Sequence, residues 1–260
     1  MHIKKNFITL IVCCLVSCEN LNVINTVVEG HNIEMRIGDE QNEKLAWDYP
    51  MKYGVPGWEA LKTTEERFNA YNIPDAILNS ISTEELVKIC MAYPQWGLMH
   101  AFNDRRTGFC VLVDYFNGFQ ELFKRDDAAI ELLKAYDRLD PLSVEPTWTP
   151  LQQGIYSARF EKIEMFLSTK TMIDKLDNEG LRRLKEVVIS KYQKKRELPE
   201  IYSLFDLSPT VAICTNIIEQ KTPNLLRTNR EVINVFMFSF MSEDVQLLDS
   251  LLELLKTTDL

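Results

Sequence analysis

Residues 81–93 read ISTEELVKICMAY, and this stretch decides the fold class. Ser82 stands three residues before Glu85, the spacing of a capping box in which hydroxyl and carboxylate each satisfy an orphaned backbone N–H. Ile81 and Leu86 flank it as a hydrophobic staple. Leu86, Ile89, Cys90 and Tyr93 then recur at intervals of three and four, the period of one buried helix face. A short, capped, one-sided helix is therefore predicted here.

Working outward, the same signature returns along most of the chain, and sustained alternation does not. Thr63 with Glu66 makes a second capping box, and further starts are expected at Pro74, Asp126, Asp177, Ser208 with Pro209, and Ser242. Apolar stripes follow at Ala129, Leu132, Leu133 and Tyr136, then Tyr156, Phe160, Ile163 and Leu167, then Leu181, Leu184, Val188 and Tyr192. In the last helix Val245, Leu248, Leu252 and Leu255 are joined by Leu247, Leu251 and Leu254, so it is expected to pack inside the body. Phe109–Val113 is continuously apolar and β-favouring, yet the rhythm of Phe102, Phe109, Leu112, Phe116 and Phe119 assigns it to a helix. Breaks at Pro94–Gly97, Asp140–Pro150 and Lys221–Pro223 separate helices of roughly 12 to 20 residues. The expected fold is all-α, with short helices stacked either as an α-solenoid-like array or as an irregular bundle. Pro141, Pro146 and Pro150 mark the best internal boundary, near 140–150, although one continuous core fits equally well.

Ahead of the helices lie three segments of different character. Lys4 and Lys5 precede an apolar run, Phe7–Val16, too short to span a bilayer, as in a removable export signal covering residues 1–17. Leu15, Val16, Ser17 and Cys18 resemble the bacterial lipobox, which implies that Cys18 becomes a lipidated first residue. Residues 18–45 are rich in Asn, Glu and Gln and suit a tether, with Ile33, Met35 and Ile37 as one short strand at most. Trp47–Trp58, carrying Pro50, Gly54, Pro56 and Gly57, reads as an irregular arm on a helical domain spanning 46–260.

Charge and cysteine supply narrow the function classes. The 260-residue chain has 29 basic and 38 acidic residues, a net charge of −9, and loss of residues 1–17 takes this to −11. Polyanions, nucleic acid among them, are poor partners for such a surface. Lys191, Lys194, Lys195 and Arg196 form the one basic cluster of note, at a helix end where cations meet the negative pole of the dipole. Beyond Cys18, only Cys90, Cys110 and Cys214 remain in the mature chain, and their apolar neighbours read them as small buried hydrophobes, with a Cys90–Cys110 bridge as the alternative.

The chain also resembles a group of uncharacterised secreted and lipid-anchored proteins from Bacteroidetes, from about Trp47 to Tyr136. The resemblance is carried by Trp-Asp-Tyr-Pro at 47–50, Gly57 and Trp58, Lys62–Arg67, Ile73 and Pro74, and by ISTEELVKICMAY with Pro94. It continues through Ala101, Phe102, Asn103 and FNGFQELFKR at 116–125. It implies a helical fold and a lipid-anchored place in the cell envelope, at the outer membrane, with the face left open. It brings no catalytic residues.

The residues themselves offer three candidate chemistries. Cys90 or Cys110 with His100 and Asp104 or Asp114 would supply nucleophile, base and orienting acid for an envelope hydrolase. Yet thiols on apolar stripes are neutral and inert. Acid pairs such as Asp126 with Asp127, or Glu84 with Glu85, sit in first helical turns, where the dipole accounts for them. Trp47, Tyr49, Tyr53, Trp58, Trp96 and Trp148 would suit a glycan platform, but more often such rings clamp an arm to a core. With two histidines left in the mature chain and no metal-ligand or phosphate-loop spacing, no metal or cofactor is expected. The leading expectation is a non-catalytic, lipid-tethered binding protein for an envelope protein or peptide. Its expected surface is the loop Asn103–Arg106, above all Asn103, Arg105 and Arg106, with Trp47, Tyr49 and Trp58.

Overall fold

The computed structural model describes residues 45–51 and 55–260. The export signal, Cys18, the tether with Ile33, Met35 and Ile37, and Tyr53 lie outside the described residues. All regular structure among those described is helical.

The chain first forms α1 (Thr64–Asn69), α2 (Asp75–Leu78), α3 (Thr83–Met91), a 3-10 turn (Trp96–Ala101), α4 (Arg105–Tyr115), α5 (Asn117–Lys124) and α6 (Ala128–Arg138). After a 3-10 turn at Pro141–Ser143 come α7 (Pro150–Leu167), α8 (Lys170–Asp174), α9 (Asn178–Arg196), α10 (Leu204–Lys221), α11 (Arg230–Ser239) and α12 (Val245–Thr257), with a 3-10 turn at Pro223–Leu226.

Local chemistry explains most of these boundaries. Thr63 and Glu66 complete their capping box at α1, and Thr149 with Gln152 does the same at α7, where Pro150 occupies the first turn. Ser82 accepts from the Glu85 N–H as expected, but the Glu85 carboxylate turns to Lys88 instead of back to the cap. Phe109–Val113 lies within α4, in keeping with its helical rhythm.

Four starts differ. Pro74 is the residue before α2 and not its first, and Asp127, not Asp126, precedes α6. Ser242 gives way to Asp244, whose carboxylate accepts from the N–H groups of Gln246 and Leu247. The largest difference is at Pro209, which lies inside α10 rather than at its start. Ser203 and Asp206 open that helix earlier, the Asp206 carboxylate accepting from the Ser203 N–H at 2.9 Å.

α10 is the helix buried all round. Leu207, Val211, Ala212, Ile213, Cys214, Ile217 and Ile218 are inaccessible, because small or apolar residues occupy every side of it. It packs against α7, α8, α9, α11 and α12, and in a solenoid each repeat would touch only its neighbours. The architecture is thus an irregular bundle around α10. α12, expected inside, buries only Leu248, Leu251, Leu252 and Leu255, with Leu247 and Leu254 half-covered at its flanks. The proline-rich link at 140–150 does not divide the core: α6 packs on α7, and one apolar cluster runs from Tyr49 to Leu255.

The earlier helices pack around rings. Tyr93 stacks on Phe116 at 4.3 Å, Phe119 meets Phe166 edge-on at 5.1 Å, and Trp96 lies parallel to Phe109. Gly108 lets α4 approach the Trp96–Ala101 turn: a Cβ there would lie 2.8 Å from the Met99 Cα.

Candidate functional site

The predicted loop Asn103–Arg106 is the start of α4. Asp104 caps it, its carboxylate accepting from the Thr107 N–H at 2.7 Å and the Thr107 hydroxyl at 2.9 Å. Asn103 is exposed, but the two arginines turn inward.

Arg105 repairs a defect that Pro209 creates. Proline has no N–H, so within α10 the carbonyl four residues earlier, that of Phe205, loses its helical donor. The Arg105 Nη1 donates to that carbonyl, while its Nε lies 3.0 Å from Glu161 Oε1 and its guanidinium 5.8 Å from the Phe205 ring centre. Ser208 adds a bond from its hydroxyl to the Leu204 carbonyl. The Arg106 Nη1 donates to the Met237 carbonyl at 2.6 Å and its guanidinium lies over the Phe240 ring. Phe240 ends α11 in the left-handed conformation, φ 55° and ψ 37°, which costs a bulky residue on the order of 1–2 kcal/mol. Its buried ring and the Arg106 contacts hold it there. Arg105 and Arg106 are therefore fasteners that join α4 to α10 and α11, and not an open recognition loop.

What this fastening presents is the outer face of α11. Ile233 and Phe236 point into the core, and on the other side Val232, Val235 and Phe238 are 52%, 71% and 66% exposed. The helix thus shows water more large apolar side chains than it buries, and Glu231 and Asn234 are the polar residues among them. Sequence reasoning passed over this helix. Apolar residues on both sides of REVINVFMFS were the available signal.

The aromatic arm is a clamp. Tyr49 is buried, donates its hydroxyl to the Ile89 carbonyl at 2.8 Å, and packs edge-on with Trp47 and Tyr71. Trp58 is buried against Tyr71, Trp96 donates to the Cys90 carbonyl, and Trp148 packs on Tyr156. A sugar platform needs open ring faces, and Tyr49 and Trp58 do not offer them.

Nor do the nucleophile candidates assemble with Cys90. That thiol is fully buried, free of any bridge to Cys110, and pushed well above its ordinary range by burial. Cys214 is raised for the same reason, and Cys110 is half-buried. The His100 Nε2 lies 3.3 Å from Glu161 Oε2. Asp104 is the cap of α4, and Asp114 has its carboxyl raised by burial. Among the acid pairs, Asp127 accepts from the Thr83 hydroxyl at 2.7 Å, and Glu84 and Glu85 face Lys88. No group of three metal-ligating side chains gathers among the described residues, and no helix there is long and apolar enough to cross a membrane.

The basic cluster also departs from expectation. Lys195 does not project into water: its Nζ donates to both Glu164 oxygens, at 2.8 and 2.9 Å, and to the Asp206 carbonyl and Thr210 hydroxyl. Tyr136 and Thr210 donate to Glu164 Oε1 at 2.6 and 2.7 Å. Burial, and next the Glu164 charge, raise the Tyr136 hydroxyl well above its ordinary value. Lys191 donates to the carbonyls of Asp137 and Leu139. The spacing of Lys191 and Lys195 with Leu184 and Val188 placed them on the buried face and was the signal for this knot.

No family model, curated protein or solved structure matches the chain.

Proposed function

We propose that the protein is a non-catalytic interaction module, anchored to the cell envelope through lipid on Cys18 and binding a protein or peptide partner through the outer face of α11. The observation that carries this reading is the exposure of Val232, Val235 and Phe238 together on one helix. Large apolar side chains grouped on a surface mark interaction sites more reliably than single ones do. The rigid seating of α11 by Arg106 and Phe240 supports it, since a pre-organised surface loses less entropy on binding. The resemblance to secreted and lipid-anchored Bacteroidetes proteins supports the anchored location.

The test is crosslinking in the cells that make the protein, with the full chain, a Cys18→Ala control and a Val235→Lys/Phe238→Lys variant. The wild type is expected to form a specific adduct that the double variant loses while its melting temperature is unchanged, and Cys18→Ala is expected to leave the membrane fraction. An adduct that persists in the double variant would remove α11 from the reading.

A further inference from the structure

We draw no further inference here: the strongest candidate, the exposed apolar face of α11 formed by Val232, Val235 and Phe238, belongs to the site already described, and nothing in the structure shows what covers it.

Discussion

The Lys195–Glu164 knot and the outer face of α11 depart from the usual distribution of side chains in opposite senses. In the first, a lysine 1% exposed and a glutamate wholly inaccessible hold charge inside the bundle. In the second, two valines and a phenylalanine stand in water. The difference lies in what the chain provides for each. Both Glu164 oxygens and the Lys195 amine find partners on α6, α7, α9 and α10. Among the described residues the Val232–Phe238 face is left largely exposed. A misplaced group whose needs are met internally is a structural element, whereas one left unmet points beyond the chain.

Breaking the knot is the largest perturbation this comparison offers. Lys195→Met leaves Glu164 charged and buried with only hydroxyl donors, so it is expected to cost about 3–5 kcal/mol in urea unfolding. Lys195→Met combined with Glu164→Leu is expected to recover most of that loss, because the desolvation penalty disappears with the second charge. A single variant within 1 kcal/mol of wild type would show that the bundle does not depend on the pair, and the contrast with α11 would lose one side.

The fold was legible in the sequence where local chemistry alone sets the outcome. The stripe in ISTEELVKICMAY and the capping pair Thr63 and Glu66 are properties of a few adjacent residues, and they appear in the structure as α3 and α1. Pro209 was misread because a proline ordinarily opens a helix, and its tolerance inside α10 depends on Arg105, about a hundred residues away. Lys195 was misread because its partner Glu164 belongs to another helix. At the candidate surface polarity misleads: Arg105 and Arg106 stand out in the sequence as charged loop residues, and the apolar outer residues of α11 do not. The arginines have internal acceptors and the valines are left largely exposed, and both facts are tertiary.

A smaller effect is expected at the fastener. Arg105→Met removes the donor to the Phe205 carbonyl and the cation beside Glu161, whose Oε1 is buried and has no well-aligned hydrogen bond of its own. The expected cost is about 1–3 kcal/mol by chemical denaturation. Faster hydrogen exchange in the first turns of α10 should accompany it, since that is where Pro209 leaves the ladder open. Uniform exchange with unchanged stability would mean that water replaces the guanidinium without penalty, and that α10 needs no help from α4.

The smallest effect separates a satisfied lysine from a poorly satisfied one. Lys162 is half-buried on α7, donates to the Met91 carbonyl at 3.0 Å and lies 6.0 Å from the centre of the Trp96 ring. Burial, with the neighbouring Arg159 charge acting in the same direction, lowers its amine to about 8, and Glu161 offsets this only in part. The unfolded chain therefore holds this proton more tightly than the native state does between about pH 8 and the ordinary lysine value. Stability linked to the group must rise with pH across that window and is reduced below it. Lys162→Met has no such titration, so its stability minus that of the wild type should be most positive near pH 7. The difference should fall by on the order of 1 kcal/mol as pH is raised toward 10.5. Urea unfolding of both proteins at pH 7, 9 and 10.5 reads it directly, and a difference independent of pH would mean that the Met91 carbonyl and the Trp96 ring meet the needs of the Lys162 charge.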